Sequence, residues 1–222
     1  MERTPEPELM EGAAQARAYA EADFSEPHSR LLEALHERLP LLPARGAALD
    51  LGCGPADVTL RFARAFPSWT VDGVDASAAM LRLGRERVDS EGLADRVRLV
   101  ACRLPDDAAP RAAYDLLLSN SLLHHLADPA TLWQVAKTHA APGGQLFVMD
   151  LNRPGTPGAA RALVEKHASG EPEMLRHDFH ASLHAAYTLD EVRLQLAQQG
   201  LTHLGSQCIS DRHWIVWGPV AA

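Results

Sequence analysis

Short apolar runs alternate with amphipathic stretches along this chain, the signature of strands regularly interleaved with helices. Runs suited to buried strands fall near 46–51, 70–74, 97–101, 114–118 and 145–150. Helical periodicity fills the gaps near 56–66, 77–90 and 128–140. Two helices are predicted ahead of the first strand, near 9–22 and 26–39. Ser25 serves as the cap of the second, with Pro27 in its first turn. Residues 1–8 read as disordered. A last helix, about 188–199, opens on Thr188 with Glu191 three residues on, which makes a capping box, and it stops at Gly200. Two closing strands, near 202–209 and 212–218, form a hairpin. The pattern predicts a three-layer α/β sheet, parallel apart from one strand, in one domain over residues 1–222.

The first strand runs into Leu49-Asp50-Leu51-Gly52-Cys53-Gly54-Pro55-Ala56-Asp57, and the second is Val71-Asp72-Gly73-Val74-Asp75. Gly52 and Gly54 let the backbone approach a ligand, since neither has a Cβ in the way. Asp75 lies 21 residues after Gly54, near the ~20-residue offset at which a βαβ unit sets a carboxylate against ribose hydroxyls. An NAD(P) site would want a third glycine where Asp57 stands. It would also bring a pyrophosphate between Asp50 and Asp57. The acidic loop suits S-adenosylmethionine (SAM), which has no phosphate and carries an ammonium and a sulfonium.

The chain resembles the class I SAM-dependent methyltransferases at these residues. The likeness continues in Tyr114-Asp115-Leu116-Leu117-Leu118-Ser119-Asn120-Ser121-Leu122-Leu123-His124-His125-Leu126 and in the turn Ala141-Pro142-Gly143-Gly144. The first of these segments is similar to the fourth strand and following loop of the small-molecule enzymes related to ubiquinone and menaquinone C-methylation. The resemblance covers roughly Tyr19 to Gly218. It implies a Rossmann-like seven-stranded sheet of order 3-2-1-4-5-7-6, with SAM at the carboxyl ends of the strands.

The resemblance also implies roles for single residues. Gly52, Gly54, Asp75 and the adjacent Ala76 would hold the cofactor. Asp50 would meet its methionyl end, or else be a buried acid held by turn amides. Cys102, Arg103 and Leu104 occupy the region where many relatives carry an Asp near the adenine amino group, so adenine contacts here fall to backbone and to Leu104. Ser119 and Asn120 would bind the SAM ammonium through main-chain oxygen. Tyr19 lies in a helix that relatives use as a lid. Asn120-Ser121-Leu122 stands where amide and base N-methylases have a Pro-Pro-aromatic motif, which argues against those substrates.

Composition narrows the class further. Lys and Arg number 21 against 29 Asp and Glu, a formal charge of −8, and no basic run exists to follow a phosphate backbone. Nucleic acid is not an expected partner. No apolar stretch approaches the ~20 residues of a membrane span. The scattered Cys53, Cys102 and Cys208 fit a reducing, cytoplasmic compartment. The sequence leaves open whether the chain acts alone or as a homodimer.

Segment 151–187 breaks the alternation and reads as an inserted substrate lid, opposite a helical cap over residues 1–45. It contains a helical run from Ala159 to Ala168 and then His177, His180, His184 and Tyr187. His125, His180 and Tyr187 are the candidate catalytic residues, needed only if the acceptor must lose a proton. His177, His180 and His184 would share a helix face, but no carboxylate or Cys is clearly set beside them, and no metal is expected. The reading is SAM-dependent methyl transfer to a small, partly apolar acceptor. A non-catalytic SAM-binding regulator is the alternative, and the polar lid favours the enzyme.

Overall fold

The computed structural model describes residues 1–6, 12–105 and 109–221. Helices α1 (Ala13–Glu21) and α2 (Ser25–Arg38) precede the sheet. Residues 9–11 of the predicted first helix lie outside the described residues. The core then alternates as expected: β1 (Gly46–Leu51), α3 (Asp57–Ala65), β2 (Trp69–Asp75), α4 (Ala78–Ser90), β3 (Val97–Ala101) and β4 (Tyr114–Asn120). After a 3₁₀ turn at Leu123–His125 come α5 (Ala130–His139) and β5 (Ala140–Leu151). The chain ends with α6 (Pro157–Ala168), α7 (Glu173–Ala185), α8 (Leu189–Gln198), β6 (Gly205–Cys208) and β7 (His213–Pro219).

The seven strands lie in the order β3-β2-β1-β4-β5-β7-β6, and β7 pairs antiparallel with both neighbours. The central strands are buried on both faces, so β1 and β4 read as continuous Leu-rich runs rather than alternating ones. One core lies between the sheet and α2 and α3, around Leu31, Leu35, Phe62 and Trp69. The other lies under α5 and α8, around Trp133, Leu132, Val192 and Trp214. Thr188 and Glu191 make the capping box, each side chain bonded to the other residue's backbone N–H.

Three local expectations fail for identifiable reasons. Residues 1–6 are not a loose tail. The Thr4 N–H donates to His184 O (3.0 Å), Arg3 Nε donates to Ala185 O (2.6 Å), and the Arg3 guanidinium lies 4.1 Å from the Tyr187 ring centroid. Ser25 is the first residue of α2 and not its cap; its N–H is taken by Asp23 Oδ1 at 2.9 Å. β5 begins at Ala140, five residues early, because a register shift between Tyr114 and Leu116 carries the Pro-Gly-Gly turn along the strand edge. A Cβ on Gly144 would lie 2.8 Å from Tyr114 O there.

Candidate cofactor and acceptor site

At the carboxyl ends of β1, β2, β4 and β5 lies a cavity of about 890 Å³. α1 and α2 wall it on one side and α7 on another. The floor is the β1–α3 loop. Gly52 and Gly54 sit at φ +70° and +52°, and Ala56 is left-handed at +64°. The two glycines have different reasons to be glycine. A Cβ on Gly52 would come within 2.8 Å of Leu122 Cδ1, whereas a Cβ on Gly54 would meet nothing within 4 Å. Gly54 therefore borders the open space, and Gly52 makes room for a packed leucine.

The loop's amides are used internally. Gly52 and Cys53 N–H both donate to Val74 O, Gly54 N–H to Asp75 Oδ2 (2.9 Å), and Ala56 N–H to Cys53 O. Residue 55 is a proline with no N–H. No amide of residues 52–56 is left to cradle a phosphate, which is how glycine loops bind dinucleotides. Asp75 also accepts from Ser77 N–H (2.7 Å), and burial pushes its carboxyl above the usual range despite both bonds. Two amides thus fix a carboxylate at the cavity edge with accepting capacity to spare.

The other acids divide by role. Asp50 is 1% exposed and accepts from Thr59 Oγ1 at 2.5 Å; burial pushes it up to about 7. Asp57 is taken up by neighbours: His28 Nδ1 (2.5 Å), Arg61 Nε (2.7 Å) and an Arg87 terminal nitrogen (2.7 Å). Burial opposes ionisation of Asp57, but these partners prevail and hold it well below the carboxylate range. It ties α2, α3 and α4 together at the cavity rim. His28 reaches on to Asn120 Nδ2 (3.4 Å), and Asn120 Oδ1 is buried in the wall without a hydrogen-bond partner among the described residues. Burial, with Asp57, Asp75 and Asp150 adding to it, pushes the Tyr19 hydroxyl up to about 12, so it stays a neutral donor. Its ring leans on Phe24, centroids 4.7 Å apart.

Most of the sequence-predicted cofactor residues meet here. Tyr19, Asp50, Gly52, Gly54, Asp75, Ala76, Cys102, Arg103, Leu104 and Asn120 all line the cavity. Ser119 does not; its side chain is buried and donates to Leu51 O (3.1 Å), stitching β4 to β1. His125 lines the cavity with Leu122, Leu126, Met149 and Leu151, which make its apolar end.

The lid helix is turned the other way from expectation. α7 gives the cavity Leu175, Asp178, Phe179 and Ser182, while His180, His184 and Tyr187 are absent from the wall. The rings of His180 and His184 pack on each other, centroids 4.6 Å apart. Tyr187 is buried under Arg3, and its carbonyl accepts from Trp214 Nε1. Positions i and i+4 set Asp178 and Ser182 on one face, so the histidines two residues away fall elsewhere. Gln15 Nε2 donates to Asp178 Oδ2 (2.8 Å), joining α1 to α7 over the site.

Reasoning from sequence missed Glu6, His28 and Asp150. Asp150 lies one residue before the end of β5, much as Asp75 ends β2, and the same signal, an acid closing an apolar strand, would have found it. It accepts from Leu123 N–H and Leu151 N–H (2.7 Å each) and from His124 Nδ1 (2.5 Å). Burial pulls His124 down, but Asp150 and Glu6 outweigh it and raise its pKa. Glu6 sits in the segment read as disordered, so no pattern pointed to it.

A seven-stranded sheet of this order, with a glycine loop and a carboxylate closing its second strand, is the fold of the class I SAM-dependent methyltransferases. Residues 49–146 match the family described as methyltransferase domain. It is 38% identical over 127 residues to a trans-aconitate 2-methyltransferase of Methylobacterium radiotolerans, covering 56% of this chain and 45% of that protein. It is 25% identical over 182 residues to a ubiquinone/menaquinone biosynthesis C-methyltransferase of Hahella chejuensis, covering 80% of this chain and 73% of that one. A SAM-dependent methyltransferase from Aquifex aeolicus has the same fold, with TM-score 0.70 and 17% identity over 95% of this chain and 99% of that chain. This chain spans about half the length of the first trans-aconitate relatives it matches. Among the described residues no helix is long and apolar enough to cross a membrane.

Proposed function

We propose that this chain binds SAM in the cavity and transfers its methyl group to a small, partly apolar acceptor. The observation that carries the reading is the glycine loop. Its amides are turned inward while Gly54 opens on the cavity beside the fixed carboxylate of Asp75. Such a floor rejects a pyrophosphate and accepts a nucleoside whose far end is cationic. SAM supplies, when bound, a methyl group already activated by the positive sulfur. The residues would then do the rest. Asp75 would accept the ribose hydroxyls. Asn120 Oδ1 would accept from the ammonium. Cys102, Arg103 and Leu104 would flank the adenine. Tyr19, Phe179 and the leucines of the apolar end would exclude water and hold the acceptor in line, which is most of what such a transfer needs. His125 is the best placed of the three sequence candidates to touch the acceptor, because it alone of them lines the cavity.

Calorimetry tests the reading. S-adenosylhomocysteine should bind, and NAD and NADP should not. Asp75→Ala removes a charge-assisted acceptor, about 1.5–3 kcal/mol, so affinity should fall roughly ten- to a hundredfold. Binding of NAD with indifference to S-adenosylhomocysteine would overturn the proposal, as would full affinity in a folded Asp75→Ala protein.

A further inference from the structure

Two histidines and a glutamate converge beside the acceptor end of the cavity. The N-terminal strap brings Glu6, held by Thr4 and Arg3 as described and by Arg153 Nε, which donates to Met1 O (3.0 Å). The 3₁₀ turn brings His124 and His125. Glu6 Oε1 lies 3.4 Å from His124 Nε2 and 3.3 Å from His125 Nδ1, and the three atoms are mutually within 4.8 Å.

Those distances are too long for charge-assisted hydrogen bonds, which run about 2.7–2.9 Å. Glu6 Oε1 is buried and makes no hydrogen bond to the described residues. Both ring nitrogens face that one oxygen without closing on it. Ligand atoms about 2.0–2.1 Å from a tetrahedral zinc ion are separated by roughly 3.3–3.4 Å, the edge of the tetrahedron. The two Glu6–histidine spacings match that edge, and the two imidazole nitrogens lie within 4.8 Å of each other.

We propose that Glu6, His124 and His125 bind one divalent transition-metal ion, zinc by their donor set, with its remaining position open to the cavity. Two imidazoles and one carboxylate form the set that catalytic zinc sites use with a fourth position for water or substrate. The surroundings fit a metal ligand. Asp150 takes His124 Nδ1 at 2.5 Å and is itself pinned by two backbone amides, so Nε2 is the nitrogen turned to Glu6. A carboxylate fixing the far nitrogen of a ligating histidine is the usual outer support of such sites. The Arg3 guanidinium donates to His124 O (3.0 Å) and holds strap and turn together. The open position would take an oxygen of the acceptor, which narrows the acceptor class to molecules with a hydroxyl or carboxyl beside an apolar part. This last step rests on the proposed methyl transfer; the binding of the ion does not.

The test uses untagged full-length protein stripped with a chelator, titrated with ZnCl₂, CoCl₂ and MgCl₂ in separate calorimetric runs. One Zn²⁺ per chain should bind, Mg²⁺ should not, and Co²⁺ should give the strong visible absorption of a four-coordinate site. Glu6→Gln should weaken Zn²⁺ by more than the ~10–100-fold that loss of a mere outer support costs. The double variant His180→Ala, His184→Ala should bind as the wild type does. Absence of stoichiometric Zn²⁺ binding overturns the proposal. So does unchanged affinity in a folded Glu6→Gln protein, or loss of the ion in the His180/His184 variant. S-adenosylhomocysteine is titrated separately. Zinc binding without it would sink the methyl-transfer reading and leave the metal site standing.

Discussion

Gly52 and Gly54 are two residues apart in one loop, yet substituting them should damage different properties. Both have positive φ, so alanine at either costs about 1–2 kcal/mol in the left-handed region. At Gly52 the new Cβ also lies 2.8 Å from Leu122 Cδ1 and 3.0 Å from its Cβ. Overpacking of that kind adds about 1–3 kcal/mol. Gly52→Ala should therefore lose roughly 2–5 kcal/mol, a drop in melting temperature of roughly 4–20 °C for a chain of this size. Gly54→Ala meets no atom and should lose only the conformational part, roughly 2–8 °C. Its Cβ, however, enters the space assigned to the cofactor. Affinity for S-adenosylhomocysteine should fall at least about tenfold, or about 1.4 kcal/mol. Thermal unfolding and calorimetry on the two variants would read both axes. Adding Leu122→Ala to Gly52→Ala removes the closest contacts, those with Cδ1 and Cδ2, and leaves only the Cβ at 3.0 Å, so the double variant should be more stable than the sum of the single losses. Equal stability losses at the two positions, with wild-type affinity in Gly54→Ala, would show that the cavity beside Gly54 is not where the cofactor sits.

Two further outcomes follow from the same geometry. Asp50 has its carboxyl raised from 3.8 to about 7 by burial, so its folded form prefers the proton. Its contribution to stability is full below about pH 4 and is lost as pH rises through 7. Asp50→Asn keeps an acceptor for Thr59 and should stabilise the ligand-free protein at pH 8, by at most roughly 4 kcal/mol, with the gain gone at pH 4; a pH-independent difference in melting temperature would contradict this. The His180→Ala, His184→Ala variant should keep wild-type affinity for S-adenosylhomocysteine and wild-type turnover on any acceptor the protein methylates, because both rings lie off the cavity wall. A loss near the 10²–10⁴ of a removed acid or base would show that α7 turns during the reaction.

The sequence by itself determined the sheet. Leu-rich runs too continuous to be half-exposed had to be central strands, and short amphipathic stretches between them had to be crossover helices, which fixes a parallel doubly covered sheet. Gly52, Gly54 and Asp75 were legible for the same reason, since the backbone of a tight βα turn restricts what can stand there. The Thr188–Glu191 box was legible because a capping box is a contact between residues three apart. What only the tertiary structure decided are the contacts between distant segments. Which face of α7 meets the cavity depends on how α7 packs against α6 and the turn at Leu123–His125, and periodicity gives a face without saying toward what. Ser119 was expected, from the resemblance, to reach the ligand through its main-chain oxygen, but it is not among the residues lining the cavity, and its hydroxyl bonds to the neighbouring strand, a partner set by sheet pairing. Glu6 is the extreme case. Residues 1–6 are held by the Arg3 guanidinium and the Thr4 N–H, which donate to the carbonyls of His124, His184 and Ala185, and by Arg153, which donates to Met1 O, all across more than a hundred residues, and those bonds exist only once the rest of the chain has folded.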